Sequence, residues 1–148
     1  MAEIRGGDQF EKGMQEISRM LGRGRGVRVG FMSRATYPDG KPVAMIAAIN
    51  EFGAPRAGIP PRPFFRNMIA RKSGEWPAAI ADLLRENNYD AAKVLEITGH
   101  AISGQLRQSI IDTNEPPNAP STIERKGHSK PLVDTGHMLK SIDFEVVS

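Results

Sequence analysis

The eleven prolines of this 148-residue chain are unevenly spread, and two clusters of them decide where regular structure can run. Pro55, Pro60, Pro61 and Pro63 crowd into 54–63, and Pro116, Pro117 and Pro120 make a second break. Each proline fixes φ, removes an amide donor and pushes the preceding residue out of the helical region. The first cluster is therefore expected to form an extended arm or loop. The second opens a long loop, 113–133, whose prolines reduce the entropy lost when it becomes ordered.

Between the breaks the chain is patterned. Phe10, Met14, Ile17 and Leu21 recur at helical spacing over 8–21, with Asp8 placed to cap and Gly22 to stop. Gly22-Arg-Gly-Arg-Gly26 reads as a basic connector into a strand over 27–32. Pro38-Asp-Gly40 is a turn by its own chemistry. Pro42 suits the first position of a helix over 43–52, which is apolar nearly all round and is expected to be buried, with Gly53 ending it. Trp76-Pro77 opens a helix carrying Trp76, Ile80, Leu83 and Leu84 on one face and stopping at Asn87-Asn88. Asp90 caps the longest helix, with the stripe Leu95, Gly99, Ile102, Leu106 and Ile110. Gly99 and Gly104 inside it point to close approach of another backbone, or to a bend.

Past the second proline cluster, Ser121 with Glu124 forms a capping pair that predicts one short turn, stopped by Gly127. Asp134-Thr-Gly136 is a second start signal, after which Met138, Leu139 and Ile142 share a face before a final strand through Val147. The expectation is one α+β domain over 1–148. A small, mostly antiparallel sheet of 27–32 and 142–147, with strand pieces from 55–66, packs against three or four helices and leaves long extended loops. Residues 113–148 would form a docking segment.

A charged fraction of 25% and a hydrophobic fraction of 39% suit a water-soluble globular chain. No apolar run approaches the roughly 20 residues of a membrane span, and the first residues lack a signal-peptide core. The absence of cysteine excludes disulfide and thiolate chemistry and suits synthesis in a cytosol. Charge is asymmetric: residues 1–72 carry 13 Lys and Arg against 6 Asp and Glu, and residues 73–148 carry 7 against 11. Two differently solvated faces account for this. A sharper account is self-association, with a basic face of one copy meeting an acidic face of the next.

The residues support no catalytic arrangement. Leu132-Val-Asp-Thr-Gly136 contains the Asp-Thr-Gly of aspartic peptidases, whose two carboxylates share a proton. Here there is a single copy, His137 follows the glycine, and the chain is rich in helices rather than strands, so Asp134 reads as a turn cap. His100, His128 and His137 have no metal-like spacing. The sequence therefore predicts no enzyme, no cofactor and no metal site. Arg23, Arg25 and Arg28 offer an alternative role, contact with DNA phosphates, although a nucleic-acid binder usually shows a denser basic stripe with aromatics between.

Two motifs carry a resemblance. Pro120-Ser-Thr-Ile-Glu-Arg-Lys-Gly127, followed by Lys130-Pro-Leu-Val-Asp-Thr-Gly-His-Met-Leu-Lys-Ser-Ile142, resembles the C-terminal signature of minor tail proteins of long-tailed bacteriophages. These are the tail-completion, or head–tail joining, proteins of the neck. Upstream, Asn50-Glu-Phe-Gly53 followed by Ile59-Pro-Pro-Arg-Pro-Phe-Phe-Arg66 matches the same family in order and spacing. The two matches cover about half of the chain. The resemblance implies a structural virion protein, assembled in the host cytoplasm, in a ring of six copies around the DNA channel. Its partners would be itself and other neck and tail proteins, such as a tail terminator or head–tail connector, with genomic DNA near by and no membrane. The residues expected at partner interfaces are Arg56, Arg62, Phe64, Phe65 and Arg66 on the first arm, and Arg125, Lys126, His128 and Lys130 on the second.

Overall fold

A computed structural model of the chain describes residues 7–113 and 136–148. In chain order it holds α1 (Gly7–Leu21), β1 (Gly26–Phe31), α2 (Val43–Phe52), α3 (Phe64–Lys72), α4 (Trp76–Glu86), α5 (Ala91–Asp112), a single turn α6 (His137–Lys140) and β2 (Ile142–Val147). The fold is α+β, with a two-stranded antiparallel sheet packed against helices.

Helix α5 is the element on which the rest is laid. The Asp90 carboxylate accepts the Lys93 amide at 3.3 Å, as a cap should. Asn88 and Tyr89, both at positive φ, turn the chain sharply from α4 into that cap. From there Val94, Thr98, Ile102, Leu106 and Ile110 line one buried face. Both strands and helices α1, α3 and α4 pack on α5, while α2 lies against β1 and α3. The Trp76 indole donates to Gln105 at 2.9 Å, and Arg107 donates to the carbonyls of Leu139 and Ile142 at 3.2 and 3.1 Å. These bonds pin α4 and the C-terminal strand to α5.

The sheet follows from period-two alternation. Val29 stands opposite Phe144, and Phe31 opposite Ile142, so their side chains share the face turned to α5. Arg28 and Glu145, directly opposite on the other face, form an exposed pair at 3.1 Å. Two strands alone would be marginal in water, so the helix against them is what makes them stable.

Phe144 explains one of the two glycines inside α5. A Cβ at Gly99 would come to 2.6 Å from Phe144 Cγ, so an aromatic ring, not a backbone, occupies the space. At Gly104 nothing lies within 4 Å. The same substitution should therefore have opposite signs eight ångströms or so apart along one helix, taking a rise of about 1.5 Å per residue. Gly104→Ala is expected to gain about 0.5–1 kcal/mol from helix propensity. Gly99→Ala is expected to lose about 1–3 kcal/mol by overpacking. Urea midpoints of the two variants check this directly.

Several expectations are corrected. Asp8 does not cap α1; it lies in the first turn, where its charge favours the helix dipole. Helix α2 is not buried all round: Val43, Ala47 and Glu51 are buried, but Met45 and Phe52 are exposed, because only one side of α2 meets β1 and α3. The region 55–66 adds no strand. It forms a single 3-10 turn at Pro55–Ala57, an isolated bridge between Ala54 and Ile59, and then enters α3, a helix that the sequence reading did not include. The capping pair Ser121 and Glu124, the Asp134 turn and most of the loop 113–133 lie outside the described residues.

Candidate partner-binding surface

The Asn50–Arg66 motif is a clasp. Gly53 adopts φ 74°, and a Cβ there would meet Ile59 O and Pro61 N at 2.8 Å, so only glycine lets the chain fold back this tightly. Ala54 and Ile59 exchange backbone hydrogen bonds at 2.8 and 3.1 Å, and the Arg62 amide donates to Asn50 O at 2.7 Å. The prolines between them lack N–H groups and leave few donors to satisfy. The expected extended arm is therefore folded against its own helix.

Glu51 locks the clasp. Helix α3 begins after Pro63, which has no side-chain acceptor for the first-turn amides. The buried Glu51 carboxylate supplies it from α2, accepting the amides of Phe65 and Arg66 at 2.9 and 3.1 Å and Arg66 Nε at 2.9 Å. Arg66 also donates to Glu51 O at 3.0 Å, and its guanidinium lies 5.1 Å from the centre of the exposed Phe52 ring.

Between α2 and α3, and against β1, an open groove of about 290 Å³ is lined by Phe31, Ala44, Ala48, Phe52, Phe65 and Arg66. Its walls are apolar apart from the Glu51–Arg66 pair. The volume is at the small end for a ligand pocket and suits one or two apolar side chains from a partner.

A second apolar surface belongs to α1. Phe10, Met14, Ile17 and Leu21 form the stripe expected from the sequence, yet no residue of this helix is buried. Phe10 is 72% exposed and Met14 50%. Within its own fold α1 leans on α5, and Ile17 and Met20 border the Asn88–Tyr89 turn.

The expected interface residues divide. Phe64 is 1% exposed, stacks edge-on to Phe31 at 6.3 Å and belongs to the core. Arg62 is 9% exposed, and burial lowers its pKa from the ordinary guanidinium value. Neither presents itself to a partner. Phe65 is half-buried over Gly30 and on the groove wall, Arg66 lies at the groove rim, and Arg56 is exposed on the 3-10 turn. Arg125, Lys126, His128, Lys130 and the peptidase candidate Asp134 lie outside the described residues. Arg23, Arg25 and Arg28 are exposed around the start of β1, but Arg28 is paired with Glu145 and the Arg25 amide extends the sheet to Val147 O at 2.8 Å. The sequence reading missed the capping role of Glu51, the groove floor of Ala44 and Ala48, and the exposure of Phe52.

Among the described residues no group of three His, Cys, Asp or Glu side chains is placed to hold a metal ion, and no helix is long and apolar enough to cross a membrane. His137 contacts Thr36 O at 2.8 Å and stacks on Tyr37 at 4.9 Å, which ties α6 to the loop before α2. Comparison with protein-family models, curated proteins and solved structures found no match.

Proposed function

We propose that the chain is a structural virion subunit of the phage neck or tail end, completing the tail and joining it to the head as part of a ring around the DNA channel. The observation that carries this reading is the α1 stripe, of which Phe10, Met14 and Leu21 stand exposed among the described residues. Contiguous apolar surface of this kind marks an interaction site. The resemblance names the kind of assembly. Its upstream motif also has an architectural use here, since Asn50, Glu51, Gly53 and Arg66 all serve the clasp that shapes the groove.

The test is assembly. Phage particles made without this chain should accumulate as separate heads and tails, and adding the purified chain should join them. Infectious particles formed in its absence would end the reading. DNA contact through Arg23, Arg25 and Arg28 makes a different prediction: affinity for duplex DNA that falls steeply with salt, since each neutralised phosphate releases counterions.

A further inference from the structure

The sheet has two strands, so each turns one edge away from its partner, and the two edges are treated differently. In an antiparallel pair, opposed residues alternate between those that bond each other and those whose amides and carbonyls face outward. The Phe144 amide donates to the Asp143 carboxylate at 2.8 Å, and Ile142 O accepts from Arg107 at 3.1 Å. Both residues therefore face outward on β2. Their opposites on β1, Val29 and Phe31, face outward too, as does Val27 two residues earlier. On β2, Arg107 and Asp143, the latter also held by Arg34 at 2.9 Å, blunt the edge. On β1, no described residue bonds the outward groups of Val27, Val29 or Phe31. At one end of this open edge, Arg23 and Arg25 are exposed and, among the described residues, have no acidic partner, unlike Arg28 and Arg34. At the other end, Phe31 forms a wall of the apolar α2–α3 groove.

We infer that the outer edge of β1 takes a third strand, an extended segment of a partner protein with an apolar residue at one end and acidic residues at the other. The occupant follows from the chemistry of the edge. Amide donors and carbonyl acceptors recur there at every second residue, roughly 7 Å apart, and an extended peptide meets both. A phosphate backbone offers acceptors alone. Paired antiparallel, as β1 and β2 are, the segment brings its C-terminal end beside Arg23 and Arg25, where carboxylates answer two guanidiniums. Its residue opposite Phe31 shares the face of Phe31, on the groove side. The six residues of β1 span about 20 Å, an ordinary strand length, and a third strand completes a sheet that two leave marginal. The inference goes beyond the neck reading and does not need it, since it concerns how a partner is held in any assembly.

The probe is acetyl-Phe-Thr-Val-Thr-Val-Glu-Glu with fluorescein at its C-terminus, titrated with the full-length chain and read by fluorescence anisotropy. Antiparallel to β1, its valines stand opposite Val29 and Val27 and turn their amides to the edge, whereas its threonine amides face water. N-methylation of both valines should weaken binding by about tenfold or more. N-methylation of both threonines, which gives an isomer of the same composition, should leave affinity within about twofold. The double substitution Arg23→Glu and Arg25→Glu should weaken the parent peptide about tenfold. Because both side chains are exposed, the circular dichroism of that variant should stay that of the parent. Hydrogen exchange gives an independent reading. The Val27, Val29 and Phe31 amides should exchange fast in the free chain and slow about tenfold or more with peptide, while Arg28 and Gly30 stay slow throughout. Equal affinity for the two isomers, or no saturable binding of the parent peptide, overturns the inference. So does slow exchange at the three residues in the free chain, which would mean that the chain covers its own edge. Binding of duplex DNA but not of the peptide would assign Arg23 and Arg25 to phosphates and overturn it as well. The neck reading fails on other grounds, particles that assemble without the chain, so the two failures are distinct.

Discussion

Replacing Phe64 by alanine is expected to remove about 3–5 kcal/mol of stability, the usual cost of deleting a fully buried aromatic ring. The ring is 1% exposed, meets Phe31 edge-on and sits in the cluster with Val43, Met68, Leu106 and Ile110. Its backbone is held as well, since the buried Ser109 hydroxyl donates to Phe64 O. A domain of this size has roughly 5–15 kcal/mol in total, so the variant should approach the threshold of folding. Phe65→Ala, one residue along, should lose only about 1–2 kcal/mol, because that ring is half-buried on the groove wall. Urea unfolding followed by circular dichroism reads both values. If Phe64→Ala kept the parent midpoint and lost only assembly, the ring would be a docking residue and its place in the core would be wrong.

That pair shows what sequence can and cannot carry. The stretch Pro63-Phe-Phe-Arg66 announces two aromatics beside arginines, and nothing local says which ring turns inward. The direction is set by α3, whose helical phase places Phe64 and Met68 on the same buried side. Helix α3 was itself hard to see, because it starts directly after proline and its first-turn amides are satisfied by Glu51, 14 and 15 residues away. By contrast the two strands and α5 were legible. Alternation fixes a strand's faces, and the Asp90 cap with its apolar stripe fixes a helix from neighbours alone. Helix α1 was legible as a helix, but periodicity reveals that an apolar face exists and never what covers it. Gly99 shows the same limit: a glycine in a helix announces close packing, and only the register of β2 reveals that Phe144 is the neighbour.

The second large effect falls on Glu51, and its ranking against Arg66 separates two accounts of the clasp. If the carboxylate matters chiefly as the missing cap of α3, Glu51→Ala should cost about 3 kcal/mol. It leaves the Phe65 and Arg66 amides without an acceptor at a partly buried helix start, each such loss being worth about 1–3 kcal/mol at most. Glu51→Gln should cost less, about 1–2 kcal/mol, because one amide oxygen can still accept while its NH₂ faces the other donors. Arg66→Ala should cost least, about 1 kcal/mol, since its guanidinium is more than half exposed and its removal leaves both amide bonds to Glu51 in place. The expected order of loss is therefore Glu51→Ala, then Glu51→Gln, then Arg66→Ala, read as denaturation midpoints at constant m. Equal losses for Glu51→Ala and Arg66→Ala would mean that the ion pair, not the cap, holds α2 to α3. The groove between them would then be expected to soften with added salt, since a half-exposed pair is screened whereas a carboxylate buried on backbone amides is not.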